Sequence, residues 1–231
     1  AYRRQRQMCI RDSNYSDNSD TVWSDEYTYT THATDTFSVI LTGDPQIGAS
    51  GSKSDKEAND MSVAQDAYNW NKTMQKAMEI DPDASFLLSA GDQINESNAG
   101  SEETKKTRES EYAGYLYPSV FRSLPIAATI GNHDKDGSDY TAHFNNPNSE
   151  DNLGSTGAGC DFYFNNGNVL FISLNSNNRN QAEHREFMKK AVASNPDAAW
   201  KVVVFHSDIY GSGQPHACLL YTSPSPRDKR Q

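Results

Sequence analysis

Pro125-Ile126-Ala127-Ala128-Thr129-Ile130-Gly131-Asn132-His133-Asp134 is an apolar run closed by a glycine and three chemically active side chains. A short apolar run bounded by turn signals reads as a buried strand. The active side chains then fall at the strand's C-terminal end, where open α/β sheets hold their ligands. Asn132 offers an amide oxygen to a hard cation, and His133 an imidazole to a borderline metal or a proton to a reacting group. The plainer reading is a polar turn, with Gly131 at positive φ and Asn or Asp as a helix cap. The rest of the chain decides between them.

Three more apolar runs end in the same way. Thr36 to Thr42 (TFSVILT) leads into Gly43-Asp44-Pro45-Gln46-Ile47-Gly48, and Ser85 to Leu88 into Ala90-Gly91-Asp92-Gln93-Ile94-Asn95. Trp200 to Phe205 reads as a further buried strand and ends at His206. Any one of these residues alone is a cap or a satisfied polar group. Asp44, Asp92, Asn132 and His206, all at the same end of their strands, make a metal centre. Carboxylate, amide oxygen and imidazole together suit divalent transition metals. Two such ions, roughly 3.5–4 Å apart, can clamp an in-line phosphoryl displacement.

Helical and irregular segments separate these strands. Ser54 to Ile80 has helical spacing, with Met61, Ala64, Tyr68 and Met78 beside Ala67, Trp70 and Met74 as its core stripe, and Asp81-Pro82-Asp83 stops it. Ser101 to Leu124 is a second helix, and Glu102, Glu103, Lys105 and Lys106 at its start form a solvated face. Asp136 to Gly159 is a long Asn/Gly/Ser-rich loop, of the kind that is usually functional or mobile. Cys160–Phe164 and Val169–Leu174 make a hairpin with Asn-Gly turn chemistry, and Asn180 to Ser194 is a third helix. Before all of these, Asn14 to Asp20 reads as loop. Trp23 to Thr31 reads as a strand with alternating aromatics, the last of a preceding β-sandwich.

The chain has 231 residues, 35% hydrophobic, which suits one domain with a sizeable core. No apolar run approaches the roughly 18 residues of a membrane span. Both ends look foreign. Met8-Cys9-Ile10-Arg11-Asp12 and Cys218-Leu219-Leu220-Tyr221-Thr222-Ser223 resemble translations of opposite strands of one transposase-type sequencing adapter. Residues 1–13 and 218–231 are therefore set aside as adapter-derived, leaving 14–33 as a sandwich remnant with its linker and 34–217 as a truncated catalytic domain. The net charge of −10 becomes more acidic without the basic residues of these ends. That argues against a nucleic-acid backbone or an anionic membrane as partner. Cys160 alone remains between them, so no disulfide framework is expected, and it reads as a small packed residue.

Gly43-Asp44-Pro45-Gln46, Gly91-Asp92, Gly131-Asn132-His133-Asp134 and Val204-Phe205-His206 resemble, in order, the first four motifs of the calcineurin-like metallophosphoesterases. The resemblance covers about Phe37 to Ala217. It implies an α/β fold, a four-layer α/β/β/α sandwich incomplete at its C-terminus, around two divalent or mixed-valence transition metal ions (Fe, Mn or Zn). Asp92 would bridge them, Asp44 would serve the first, and Asn132 and His206 the second. His133, oriented by Asp134, would contact the phosphate or leaving group. The implied reaction is hydrolysis of a small phosphate ester by a metal-bound hydroxide. Within the family, the Trp23–Thr31 strand, as the end of a fibronectin-like domain, and the segment from His206 to His216 look most like the purple acid phosphatase branch, with His216 as a second proton donor.

Two positions depart from that branch. Asn95 stands where the purple enzymes have Tyr, so their tyrosinate colour is not expected, and Gln46 stands where many relatives have His. Gln46, a weak neutral ligand, is expected at or just beyond the metal. The family's last Gly-His-x-His motif has no match after His216, so the chain as it stands is expected to be impaired. A phosphodiesterase, a nucleotidase or a non-catalytic metal-binding or adhesion module are the alternatives. A secreted or cell-surface location is the expectation.

Overall fold

The computed structural model describes residues 14–17, 20–23, 27–29, 36–51 and 56–207. Within them, the alternation of side chains along each strand builds four layers. Strands β3 (Ile40–Thr42), β4 (Leu87–Ser89) and β5 (Ile126–Ala128) form a parallel sheet in the order β3-β4-β5. A second sheet runs β6-β7-β8, with β6 (Phe162–Asn166) antiparallel and β8 (Trp200–Phe205) parallel to β7 (Val169–Leu174).

Phe86 and Leu88 point to one side of β4 and meet Phe162 and Phe171 from the other sheet. Phe86 meets the Phe164 and Phe171 rings edge-on at 5.2 Å, a favoured aromatic arrangement. Leu87 points the opposite way, into a core shared with helices α1 (Lys56–Ile80) and α2 (Glu102–Tyr115). Leu170 and Ile172 likewise turn away from Phe171 and pack on Phe187 and Ala191 of α4 (Gln181–Ala193). Helices, sheet, sheet, helix is the expected α/β/β/α order.

Local chemistry sets the helix ends. Ser101 and Thr104 cap α2 reciprocally, each side chain accepting the other's backbone N–H, and Asn180 Oδ1 caps α4 at Ala182 N. Helix α2 stops at Tyr115, short of the expected Leu124. Pro118 follows, and only a 3₁₀ turn, Ser119–Arg122, continues. The long Asp136–Gly159 loop also holds one short helix, α3 (Asp139–His143).

Other readings are corrected as well. Asn14–Asp17 (β1) pairs antiparallel with Asp20–Trp23 (β2), although Asn14 to Asp20 was expected to be loop. Of the expected Trp23–Thr31 strand, Trp23 ends β2, Tyr27–Tyr29 are not strand, and the rest lies outside the described residues. On α1, Val63, Ala67, Trp70 and Met74 are buried while Met61 and Tyr68 are more than half exposed. Both sets fit a helical period, and packing against α2 selects the one that Trp70 anchors by stacking on Tyr115 and donating to its carbonyl. Strand β8 has the expected span but is not buried. It is the edge of its sheet among the described residues, and Trp200, Val202 and Val203 are exposed.

Candidate metal centre

The C-terminal ends of β3, β4, β5 and β8 bring Asp44, Asp92, Asn132 and His206 to one place. The β3 and β4 loops run side by side beyond their strands: Asp44 N donates to Gly91 O, Gln46 N to Asp92 O and Ile47 N to Gln93 O. Asp44, Gln46 and Asp92 all adopt positive φ, at 48°, 38° and 53°. Such backbone is uncommon outside glycine, costs free energy, and clusters at functional sites that hold it in place.

The side chains converge on His206 Nε2. Asn132 Oδ1 lies 2.9 Å from it, Asp92 Oδ2 3.4 Å and Asp44 Oδ1 3.9 Å. His206 Nδ1 is 3.0 Å from the Ala90 carbonyl, which can only accept, so Nδ1 carries a proton there. Nε2 therefore faces three oxygens. Ligand atoms of Asp44, Asp92 and His206 lie within 4.8 Å of one another. Carboxylate, amide and imidazole acceptors gathered on one point fit a divalent transition metal.

Electrostatics follow the same pattern. Burial alone would raise the Asp92 carboxyl, but hydrogen bonding from His206 and from His133 N, with both imidazole charges, holds it below its ordinary value. Burial would lower His206, but the Asp92 carboxylate, Asp44 and the Ala90 carbonyl raise it. Gln46 Nε2 donates to Asp92 Oδ2 at 3.0 Å, so Gln46 steadies that carboxylate and presents its N–H, not its oxygen, to it.

His133 lies beside this cluster, its Nε2 3.8 Å from Asp92 Oδ2. Its orienting partner is not Asp134. Nδ1 bonds the carbonyl of Asn95, which fixes the proton on Nδ1 and leaves Nε2 toward the centre. Asp134 instead turns into the core. Its Oδ2 accepts Asp92 N and Gly131 N, both at 2.9 Å, and its Oδ1 accepts the Tyr112 hydroxyl. Burial, with repulsion from Asp92, pushes its carboxyl up to about 7 against these donors. Asp134 is thus a staple between the β4 and β5 loops. His216 lies outside the described residues.

The glycines explain how close these loops come. Gly131 does not have positive φ; a Cβ there would stand 2.1 Å from both Asp92 N and Asp92 Oδ1. Gly91 has both constraints, with φ +110° and His206 Nδ1 2.7 Å from its would-be Cβ. Sequence reasoning missed Arg108 and Glu111, both buried on α2 beneath these loops. Their only local signal is their spacing with Tyr112, which places all three on one helix face.

Comparison with known proteins agrees with the motifs. The profile of the family described as calcineurin-like phosphoesterase matches residues 37–224. No curated protein sequence matches the chain. Among solved structures, purple acid phosphatase PPD1 isolated from yellow lupin (Lupinus luteus) seeds is similar, with 17% identity and a TM-score of 0.49. That similarity covers 80% of this chain and 34% of the lupin chain, so the chain spans about a third of that protein's length.

Proposed function

The chain belongs to the calcineurin-like phosphoesterases, and from that premise we propose that it hydrolyses small phosphate esters, with a phosphomonoester as substrate, at a dinuclear centre of Fe, Mn or Zn. The observation that carries this reading is the convergence of Asp44 Oδ1, Asp92 Oδ2 and Asn132 Oδ1 on His206 Nε2, with His133 alongside. Asp44, Asp92, Asn132 and His206 would hold the ions. When bound, the ions supply Lewis acidity toward a phosphoryl oxygen and lower the pKa of water.

The chain's own residues do the rest. Buried Asp92 is kept ionised by its neighbours and ready to accept a cation. His133 has Nδ1 engaged by the Asn95 carbonyl, so Nε2 is the atom that faces the departing ester oxygen and, in the imidazolium form, hands it a proton while Nδ1 keeps its own. Asp134 keeps the Asp92 and Gly131 amides together and so holds two ligand loops in register.

The test is metal stoichiometry of the 231-residue chain, with Asp92→Asn beside it, together with turnover of an aryl phosphate. Near-stoichiometric metal that disappears in Asp92→Asn, with measurable aryl phosphate hydrolysis, is the expected result. Metal bound equally by both forms would refute the assignment of the centre. Loaded protein that is inert toward monoesters and turns over a diester would refute the substrate class.

A further inference from the structure

We propose that Arg108 and Glu111 of α2 are positioning residues for this reaction: one through a carbonyl and the other through two amides, they fix the Asn95–Glu96 segment that sets the His133 ring. The proposal rests on the phosphoesterase reading above.

Two charged residues buried to this degree on the core-facing side of a helix are costly unless their hydrogen-bonding capacity is met. Here that capacity goes mainly to the backbone of two ligand-bearing loops. Asp139 pairs with Arg108 through Nε and, at 3.1 Å, through Nη2. Nη1 then donates at 2.7 Å to Glu96 O and at 2.7 Å to His133 O, so one nitrogen joins the loop after β4 to the loop after β5. Nη2 reaches Asp136 O at 2.8 Å and Asp134 O at 3.2 Å. A lysine could not span these carbonyls, because its three donors radiate from a single nitrogen.

Glu111 grips the same loop by its donors. Its Oε2 accepts Asn95 N at 3.0 Å and Glu96 N at 2.7 Å. Asn95 N is also held by Ile47 O, so this residue has little freedom. The carbonyl that follows, Asn95 O, is the one that holds His133 Nδ1. Both routes end on His133: Arg108 holds its backbone and Glu111, through Asn95, its ring. A buried pair serving stability alone has no reason to address the two sides of one histidine.

Reach, not charge, is what Glu111 contributes, and two variants separate them. Glu111→Gln keeps the length and an acceptor oxygen, whereas Glu111→Asp keeps the charge and withdraws it by one methylene. Misplacement of a catalytic group by about 1 Å costs on the order of 10²-fold. Aryl phosphate turnover by Glu111→Asp should therefore lose kcat by about 30- to 100-fold, with KM within about twofold and metal content unchanged. Glu111→Gln should stay within about threefold of wild type in kcat.

The second readout needs no turnover. In the metal-free chain, the ¹⁵N spectrum of neutral His133 should show Nδ1 as the protonated nitrogen in wild type and Glu111→Gln, and mixed tautomers in Glu111→Asp. Wild-type kcat and tautomer in Glu111→Asp would overturn the proposal, as would equal losses in both variants. Should Glu111→Asp not fold, hydrogen exchange of the wild-type chain decides. Asn95 and Glu96 amides protected like those of β4 support the clamp, and exchange at exposed-loop rates overturns it. A wild-type chain that binds metal without hydrolysing any phosphate ester refutes the reading of function instead, and the tautomer still reports on positioning.

Discussion

Replacing Gly131 by alanine should both destabilise the fold and empty the metal centre. The new Cβ would stand 2.1 Å from Asp92 N, 2.1 Å from Asp92 Oδ1 and 2.8 Å from Asp92 Cα. Two of these are backbone atoms of the adjoining strand loop, so the loops must separate by more than 1 Å to reach about 3.4 Å, the near edge of ordinary contact. Separation breaks His133 N to Asp92 Oδ1 and divides the two amides that share Asp134 Oδ2. Overpacking typically costs about 1–3 kcal/mol, and a hydrogen bond to a charged acceptor about 1.5–3 kcal/mol. The sum, with partial relaxation, is on the order of 4 kcal/mol, which lowers Tm by roughly 10 °C for a domain of this size. Gly43→Ala is the control, since its Cβ would meet only Ala90 Cβ at 3.7 Å, and it should stay within about 0.5 kcal/mol of wild type. Thermal and urea unfolding give the stabilities, and metal content per chain reports the centre. A Gly131→Ala protein that melts within about 2 °C of Gly43→Ala and retains its metal would refute the close-approach argument.

Two further predictions use groups beside and beyond the centre. His184 faces Asp161 Oδ2 at 2.7 Å and Asn178 O at 2.8 Å, and the Asp161 hydrogen bond raises its pKa. Its folded value lies above the unfolded value of about 6.5, so its stabilisation is full below about pH 6.5 and is lost as pH rises through the folded value. The urea midpoint of wild type should thus fall more steeply than that of His184→Gln from pH 6.5 upward, and parallel profiles would contradict the pairing. Gln46→His replaces a residue that now donates to Asp92 with an imidazole that can ligate directly. Titration of the apo protein with Zn²⁺ or Mn²⁺ alone should show affinity raised at least about tenfold, and unchanged affinity would place residue 46 out of the ions' reach.

What the sequence revealed depends on how far each signal had to travel. Asp44, Asp92, Asn132 and His206 were legible because each follows its own apolar run at once, and strand direction alone brings such ends together. Strand β8 was legible in span but not in burial, because a short apolar run cannot tell a central strand from an edge. On α1, Met61-Ala64-Tyr68 and Val63-Ala67-Trp70-Met74 are both helical stripes, and only tertiary contact, chiefly with α2, chooses between them. Arg108 and Glu111 were hidden because their partners are main-chain atoms of distant loops, which carry no side-chain identity to read.

Gly131 and Asp134 show why a motif can be read correctly and still be misassigned in its parts. The letters suggested a turn glycine and an acid that orients the neighbouring histidine. Yet Gly131 is required by Asp92, which approaches from another strand, and Asp134 serves the amides of that same meeting. The orienting partner of His133 is a backbone carbonyl, Asn95 O, at one of the two positions that depart from the purple acid phosphatase pattern. A side chain at 95 therefore does not decide whether His133 is held. The peptide does, and the peptide is held by α2. Substitution of the Asn95 side chain leaves that carbonyl in place, whereas a change at Glu111 moves it. The residues that tune this centre are thus to be sought beneath the loops as well as in their motifs.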